Sequence, residues 1–341
     1  MTTPVPQPKP MELQDMRSLV RALIITALAT AGILWNAPAL SQDNTLVTRP
    51  IRLVIPFAPG GGNDVVARIA GQRLSELLGK PVIADNRPGA NGLIGTELVS
   101  TATPDGLTLV VVSTSYVTNP NMQKPGFAPL KYLAPVALIA ESPLILSANP
   151  SLPAKSIQEL IALAKAKPSQ LGFASAGVGN ITHLAGELLQ KMANISLLHV
   201  PYKGTALALT DVFGGQVPMV ISSVNPVLGH LKSGRLRGLG VFTATRSRFV
   251  PDIPTVAESG VPKYEARVWW GIMGPGSLPK SLVNSLNADI AMALAGDNVS
   301  QRFSTLGMDV IQQSPDAFAK IVIADIQKWG KLAQQLGISE K

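Results

Sequence analysis

The amino-acid sequence predicts an α/β protein with two lobes, each built on a mainly parallel central sheet. Apolar, strand-like segments alternate with amphipathic, helix-like segments from about residue 49 onward, which is typical of parallel sheets covered by helices. The alternation forms two consecutive series of about 100 residues each, an ordinary domain size. Of the 341 residues, 46% are hydrophobic and 15% are charged, a composition that favours a globular core over disorder.

The first series begins with a strand over residues 51–56, IRLVIP. After three glycines, apolar residues at helical spacing predict a helix that ends at Gly79. Residues 81–84 read as a second strand, and the loop DNRPGANG leads into the next helix. The β-branched segment 107–112 predicts a third strand, which runs into Ser113-Thr114-Ser115.

The second series begins with a strand at residues 144–149. Ser156 precedes Glu159 by three residues, and this capping box predicts the start of a helix. Three further strand–loop–helix units follow, in the segments LGFASAGVGNITHLAGELLQKMA, LLHVPYKGTALALTDVF and VPMVISSVNPVLGHLKSG.

Two extended segments, at about residues 137–142 and 239–270, connect the series without a linker rich in Gly, Ser or charge. We therefore expect the chain to cross between the lobes twice and to form a hinge there. The predicted divisions are 42–140 for the first part of lobe I, 141–264 for lobe II and 265–341 for the return to lobe I. Trp269 and Trp270 lie at the second crossing, where packing in the hinge or core is expected rather than ligand contact.

Two helices are expected to end the chain. The first covers residues 280–296, and the second is opened by Ser314-Pro315-Asp316 and runs through Trp329. Proline at the first helical position is a frequent start signal because its missing N–H is not needed there.

The N-terminus has the pattern of a secretory signal peptide. Basic residues at positions 9, 17 and 21 precede an apolar run over 22–35, which is followed by Ala37-Pro38-Ala39. The alternative is a membrane anchor, but the run is shorter than the roughly 20 residues that span a bilayer. We expect residues 1–41 to be a signal peptide with an N-terminal extension, cleaved near Ala39 or Ser41, and the mature protein to be periplasmic.

Composition excludes several classes of function. The chain has no cysteine, so it has neither disulfides nor thiolate chemistry. His183, His199 and His230 show no metal-ligand spacing and are interpreted as structural, and no metal or cofactor is expected. The formal net charge of +8 suits an anionic partner. Nucleic acid is not expected, because the basic residues are dispersed and only 5% of residues are aromatic.

Four small-residue loops are placed to bind an anion. They cover residues 58–64, 89–95, 174–182 and 202–205, each between a predicted strand and the start of a helix. Helix N-termini carry unpaired N–H groups and the positive end of the helix dipole. Two loops fall in each lobe, which predicts a cleft with hydrogen-bond donors on both walls.

The glycine loop PGGGND is by itself a weak signal. It matches neither the G-x-G-x-x-G pattern of dinucleotide sites nor a P-loop, because no Lys-Ser/Thr pair follows the glycines. A merely tight turn is the alternative. A secreted hydrolase is a further alternative, with Ser175 and nearby His183 as candidates, but G-x-S-x-G is absent.

Six ordered motifs resemble the substrate-receptor subunits of tripartite tricarboxylate transporters, also called Bug receptors. The motifs are RPIRLVIPFAPGGGNDVVAR, NRPGANGLIGTELV, PDGLTLVV, LGFASAGVGNITHLAGEL, HVPYKGTALALTDVFGGQV and IPTVAESGVP, and the match spans about residues 46–340. The resemblance implies a type II periplasmic-binding-protein fold, whose two lobes close on a small carboxylate, and no enzymatic activity. It also implies delivery of the ligand to a membrane permease; a receptor of the same fold that signals to a sensor kinase is the alternative.

The resemblance and the loop positions together define the expected ligand contacts. The backbone amides near Ala58, Gly60 and Gly61 are expected to hold one carboxylate. Asn180 and Thr182 are expected to cap a helix, bind the ligand, or both. For Lys203 a surface charge is the alternative. The complete set is Phe57, Ala58, Gly60, Gly61, Asn63, Asp64, Asn91, Gly92, Ser115, Ser175, Ala176, Gly177, Gly179, Asn180, Thr182, His183, Tyr202, Lys203, Gly204 and Ser222.

The chain departs from the family pattern at Ser222-Ser223, where Asp-Asn is common. Losing that Asp removes an acceptor for an amino or hydroxyl group of the ligand. Dicarboxylates, tricarboxylates, aromatic acids and a neutral amide therefore remain open as ligands. The protein is expected to be a monomer.

Overall fold

The computed structural model describes residues 49–118 and 129–336, whose strands and helices alternate as the sequence predicts. The strands are β1 (Ile51–Ile55), β2 (Val82–Asn86), β3 (Thr108–Ser113), β4 (Leu133–Ala148), β5 (Gly172–Ser175), β6 (Leu198–Pro201), β7 (Met219–Ser223), β8 (Arg237–Val241), β9 (Arg267–Pro275) and β10 (Asp309–Gln313). The α-helices are α1 (Gly62–Leu78), α2 (Leu93–Ser100), α3 (Ser115–Thr118), α4 (Pro129–Tyr132), α5 (Ile157–Ala166), α6 (Ile181–Ala193), α7 (Thr205–Phe213), α8 (Leu228–Lys232), α9 (Lys280–Leu294), α10 (Asp297–Thr305) and α11 (Pro315–Leu336).

Local signals determine where several helices begin and end. Helix α1 ends at Gly79, whose φ of 64° is left-handed and suits glycine. Ser156 caps α5 by accepting a hydrogen bond from the Glu159 N–H at 3.2 Å, which confirms the predicted cap. The Glu159 carboxylate accepts from the N–H of Lys155 at 2.7 Å rather than from that of the cap residue.

The strands form two half-sheets that share β4. The strand order is β2-β1-β3-β9-β4-β7-β5-β6, with β8 and β10 also paired to β4. In the first half-sheet β1 runs parallel to β2 and β3, and in the second half-sheet β5 runs parallel to β6 and β7. The antiparallel pairs β3–β9, β4–β9 and β4–β7 lie where the chain passes from one half-sheet to the other. The α/β fold class is confirmed; the lobe boundaries stay a prediction.

Strand β4 contains the first predicted crossing. Its residues 133–143 pair with β9 in the first half-sheet, and its residues 144–148 pair with β7 in the second. The segment 137–142 is therefore a continuous strand rather than a separate connection. The chain returns to the first half-sheet between the end of β8 and the start of β9.

Strands β3 and β9 are packed on both faces. Helix α1 covers the face that contains Val111 and Trp270, and helix α11 covers the face that contains Val112 and Trp269. Side chains alternate along a strand, so Ser113 is the next residue of β3 on the α1 face. This alternation places a serine at the carboxyl end of β3, beside Trp270, with which Ser113 is paired in register.

Helix α10 and strand β10 were not predicted from the sequence. Helix α10 buries only Val299 and Phe303, so the sequence offers too few apolar positions to identify it as a helix. Strand β10, DVIQQ, is mostly polar and pairs only with β4. The second C-terminal helix begins at Pro315, as predicted, and continues beyond Trp329.

No helix in the described ranges is long and apolar enough to cross a membrane. The expected signal peptide and its cleavage site lie outside the described residues.

Candidate functional site

A cavity of about 290 Å³ lies at the carboxyl ends of strands from both half-sheets. We call it the central cavity. Its lining from the first half-sheet is Phe57, Ala58, Pro59, Gly61, Gly62, Asn63, Ser113, Ser115, Val268 and Trp270. Its lining from the second half-sheet is Leu144, Ala176, Asn180, Ile181, Thr182, Lys203, Gly204, Thr205, Ala206, Leu207 and Ser223. Three of the four predicted loops therefore meet at one space, as expected for a cleft between parallel sheets.

We call the lining from the first half-sheet the first wall and the lining from the second half-sheet the second wall. The N-terminus of α1 forms part of the first wall. Its cap residue Gly61 has extended backbone and no side-chain cap. Among the described residues, nothing accepts a hydrogen bond from the N–H groups of Ala58, Gly61, Gly62 or Asn63. These amides are the unpaired donors of a helix N-terminus, and they border the cavity.

Gly62 is required because Trp270 lies against its backbone. A Cβ at this position would lie 2.5 Å from Cζ2 of the indole. The indole Nε1 donates to Oδ1 of Asn63 at 3.1 Å, and Nδ2 of Asn63 donates to the Val111 carbonyl at 3.3 Å. Trp270 is thus both a core residue, as predicted, and a lining residue, which was not expected.

Asp64 holds the glycine loop in place. Its carboxylate accepts from the Gly60 N–H, the Arg68 guanidinium and Nδ2 of Asn86, each at 3.0 Å. Nδ2 of Asn86 also donates to the Phe57 carbonyl at 3.0 Å. Burial by itself would raise the pKa of Asp64, but the hydrogen bonds and the Arg68 charge outweigh it, so the pKa lies below its ordinary value. The Gly60 amide, expected to hold the ligand, is therefore occupied by Asp64.

Ser113 and Ser115 lie at the end of β3 and line the cavity. They are 3% and 2% exposed, and neither hydroxyl makes a hydrogen bond with any described residue. Thr114, between them, points the other way, and its Oγ1 accepts from the Trp269 N–H at 3.0 Å. Ser115 was predicted from the sequence, whereas Ser113 was missed. Period-two alternation after Val111 was the signal that could have identified it.

The loop between β5 and α6 satisfies most of its own amides. The Ala176 N–H donates to Oγ1 of Thr182 at 3.0 Å, and the Gly179 N–H donates to Nδ1 of His183 at 3.2 Å. Asn180 caps α6, because its Oδ1 accepts from the Thr182 N–H at 3.1 Å. Asn180 and Thr182 thus have the predicted capping arrangement and also line the cavity. This loop offers the ligand few free amides.

The N-terminus of α7 supplies the free amides of the second wall. Among the described residues, nothing accepts from the N–H groups of Thr205, Ala206 or Leu207, all of which line the cavity. Lys203, immediately before this helix, is the only charged residue in the described lining. The Tyr202 hydroxyl, in contrast, donates to Asp211 at 2.6 Å. Burial, and then that bond and the Asp211 charge, raise the pKa of Tyr202 to about 12.

Asn91 connects the two half-sheets across the cleft. Nδ2 of Asn180 donates to Oδ1 of Asn91 at 3.2 Å, and Nδ2 of Asn91 donates to the Val178 carbonyl at 3.4 Å. An outer cavity of about 630 Å³ lies beside this contact. Its lining is Phe57, Ala58, Pro88, Gly89, Ala90, Asn91, Gly92, Ala176, Gly177, Val178, Pro201, Tyr202 and Lys203.

Six residues of the predicted set line neither cavity: Gly60, Asp64, Ser175, Gly179, His183 and Ser222. Ser222 is buried and donates to the Ser223 carbonyl at 2.9 Å, while Ser223 lines the central cavity instead. Lining residues inside the predicted loops but not named as ligand contacts are Pro59, Gly62, Gly89, Ala90, Val178, Ile181 and Thr205. Lining residues outside the predicted loops, which sequence reasoning missed, are Pro88, Ser113, Leu144, Pro201, Ala206, Leu207, Val268 and Trp270.

Ser175 is fully buried and lies beside a histidine pair. Its Oγ is 2.6 Å from Nε2 of His199, not bonded to His183 as a hydrolase would require. The rings of His183 and His199 stack with centroids 3.7 Å apart. Burial, and then the neighbouring His183, lower the pKa of His199 to about 3. Ser175 therefore has no access to the cavity from which it could attack a substrate.

In the described part of the chain, no group of three or more His, Asp or Glu residues is placed to hold a metal ion. The site consists of neutral donors, one lysine and apolar side chains.

Comparison with known proteins identifies the family that this chain matches. Residues 66–338 match the family described as tripartite tricarboxylate transporter family receptor. Protein BugT of Bordetella pertussis is 35% identical over 323 residues, which cover 94% of this chain and 98% of BugT.

Two solved structures are similar over most of the chain. R. palustris Rpa4515 with adipate has a TM-score of 0.81 at 34% identity and covers 86% of this chain and 98% of its own. MatC from Rhodopseudomonas palustris with bound malate has a TM-score of 0.78 at 30% identity and covers 84% of this chain and 99% of its own. The fold, the glycine loop at the cleft and these similarities agree: the chain belongs to the receptor family of the tripartite tricarboxylate transporters.

Proposed function

We propose that the protein is a periplasmic receptor that captures a small organic dicarboxylate in the central cavity and delivers it to a membrane permease. One observation carries the proposal. The N-termini of α1 and α7, which belong to different half-sheets, border the same cavity with unpaired N–H groups. Each N-terminus suits one anionic group, so the pair suits a ligand with a carboxylate at each end.

The charge of the lining supports an anion over a zwitterion. Lys203 is the only charged residue of the described lining, and no described carboxylate borders the cavity. An ammonium group would therefore lack a counter-charge. The apolar part of the lining, which includes Leu144, Ile181 and Val268 beside Trp270, suits the carbon chain between the two carboxylates. Adipate and malate, bound by the similar proteins, are both dicarboxylates.

The binding mechanism is closure of the two half-sheets on the ligand. Removing a carboxylate from water is costly unless hydrogen bonds replace the water. Hydrogen bonds to a charged group contribute roughly 1.5–3 kcal/mol each. Three or four of them suffice for micromolar affinity, about −8 kcal/mol, after the cost of ordering. Strand β4, which pairs with β9 in the first half-sheet and with β7 in the second, and the return segment between β8 and β9 are the proposed hinge.

The other parts of the proposal follow from the family and the leader sequence. The signal peptide is cleaved near Ala39 or Ser41, the mature protein is a periplasmic monomer, and it catalyses no reaction. Export, cleavage and mass are measured by N-terminal sequencing and light scattering of protein recovered from the periplasm. A retained leader or a stable dimer would refute those statements.

Isothermal titration calorimetry tests the binding function. The mature protein is titrated with adipate, malate, citrate, hexanoate, glutamate and adipamide. We expect saturable, micromolar binding of at least one dicarboxylate, weaker binding of hexanoate and none of adipamide. No saturable binding of any acid would refute the function, and tighter binding of adipamide than of adipate would refute the anionic ligand. Loss of uptake on deleting either the receptor gene or the permease genes tests delivery.

A further inference from the structure

Ser113 and Ser115 are buried residues whose hydroxyls border the central cavity and have no partner in the described protein. The residues are 3% and 2% exposed, and neither hydroxyl bonds to a described residue. In the described chain, Ser147 is the only serine or threonine whose hydroxyl is sealed from solvent without a partner. The hydroxyls of Ser113 and Ser115 differ from it because both residues border the central cavity.

The neighbouring polar side chains of the first wall, Trp270 and Asn63, bond to each other or to the backbone. The Trp270 indole N–H donates to Asn63, and the Asn63 amide donates to the Val111 carbonyl. Of the side chains that this wall presents to the cavity, those of Ser113 and Ser115 have hydroxyls with no partner in the described chain, while the Asn63 amide keeps one of its two N–H donors unused. Ser113 lies on the same side of the sheet as the free amides at the start of α1, because it follows Val111 on the face that α1 covers. Ser115, the first residue of α3, borders the same cavity.

We propose that the hydroxyls of Ser113 and Ser115 bind a ligand carboxylate together with the amides of Gly61 and Gly62. This inference rests on the proposed function and assigns the first-wall carboxylate to a site of neutral donors. A serine hydroxyl donates to one carboxylate oxygen while the amides donate to the other. The second carboxylate lies at the α7 N-terminus beside Lys203, so the two ends of the ligand are held by different chemistry.

Two serine variants and two controls test the assignment. Ser113→Ala and Ser115→Ala each remove one hydroxyl. Ser147→Ala removes a buried, unbonded hydroxyl that does not border the cavity, so it controls for the loss of a buried serine hydroxyl. Lys203→Met changes the opposite end of the site. Dissociation constants for adipate, malate and hexanoate are measured by calorimetry, and thermal melts compare the stability of all four variants.

We expect each cavity serine variant to lose about 10- to 100-fold in affinity for adipate and for malate alike, the fold-change of one hydrogen bond to a charged group. Hexanoate, where its binding is measurable, loses by the same factor, since its single carboxylate occupies the first wall. Ser147→Ala retains wild-type affinity, and Lys203→Met weakens the diacids but not hexanoate.

Each other outcome overturns the inference. Wild-type affinity in both cavity serine variants removes the serines from the ligand site. A loss confined to malate shows that the serines bind its 2-hydroxyl rather than a carboxylate. An equal loss in Ser147→Ala shows a general effect of losing buried serines. If the wild-type protein binds none of the acids, the proposed function is refuted. If the wild-type protein binds an acid and the serine variants bind it equally well, only the present inference is refuted.

Discussion

Gly62→Ala tests how the glycine loop and the indole of Trp270 depend on each other. The added methyl group would lie 2.5 Å from Cζ2 and 3.1 Å from Cε2 of a rigid ring. Because the ring is 2% exposed and surrounded by core residues, it has little room to move. We expect the ring to shift and its hydrogen bond to Asn63 to weaken.

The expected loss of stability follows from three terms. Overpacking costs about 1–3 kcal/mol, and loss of the indole hydrogen bond costs about 1 kcal/mol. Replacing Gly by Ala in a helix recovers about 0.5–1 kcal/mol. The net loss for Gly62→Ala is therefore about 1–3.5 kcal/mol in the free energy of unfolding.

Gly61→Ala is the matched control. Its Cβ would lie 3.9 Å from the nearest atom, the Ala58 carbonyl oxygen, and its φ of −83° suits alanine. Both variants keep their backbone amides. Urea unfolding, followed by tryptophan fluorescence and circular dichroism, measures both stabilities. Equal stability and an unchanged emission maximum in the two variants would refute the role assigned to Gly62.

Three further predictions concern charge, closure and pH. Lys203→Met should weaken adipate binding about two- to fivefold, because an exposed ion pair contributes about 0.5–1 kcal/mol; wild-type affinity at low salt by calorimetry would contradict this. Asn91→Gly suits the left-handed φ of 49° but removes the two side-chain hydrogen bonds across the cleft. The affinity for adipate should therefore fall about fivefold, roughly 1 kcal/mol. Small-angle scattering should show that the ligand-free variant is more open than the wild type. An unchanged scattering profile and affinity would rule out that contact as a stabiliser of closure. The pKa of His199 is lowered to about 3 in the folded protein. Below about pH 6.5 the unfolded chain therefore binds a proton that the folded chain does not. The free energy of unfolding should decrease by about 2 kcal/mol as the pH is lowered from 8 to 5. His199→Gln should lack this pH-dependent part of the free energy of unfolding, measured by urea unfolding at pH 8 and pH 5. An equal pH dependence in the variant and the wild type would refute the role of His199.

Much of the fold follows from patterns that are local in the chain. Apolar alternation and helical spacing identified the strands before and after α1, and Gly79 and Pro315 marked helix boundaries where their φ preferences require. Helix α10 and strand β10 escaped because their pairing and burial depend on contacts made by distant elements. Strand β10 is stabilised by β4, more than 160 positions earlier in the chain.

The site was predictable as a set of loops, but not as a set of donors. Gly60 and Gly61 are neighbours with the same chemistry in the sequence. Only the folded chain brings Asp64 to the Gly60 amide and leaves that of Gly61 free. In the same way, Asn63 and Trp270 are 207 positions apart, and their hydrogen bond turns an expected core tryptophan into a wall of the cavity.

Glycine spacing, helix starts and the absence of cysteine are properties of short stretches or of composition, so the linear chain alone predicted an α/β fold with loops placed to bind an anion, and its ordered motifs supplied the resemblance to a receptor family. Which amides and hydroxyls stay free is different, because a hydrogen-bonding group is free only when no other part of the chain reaches it. That depends on every neighbour in space, and it is why only the assembled half-sheets decided that the Ser113 hydroxyl and the amides at the start of α7 stay free.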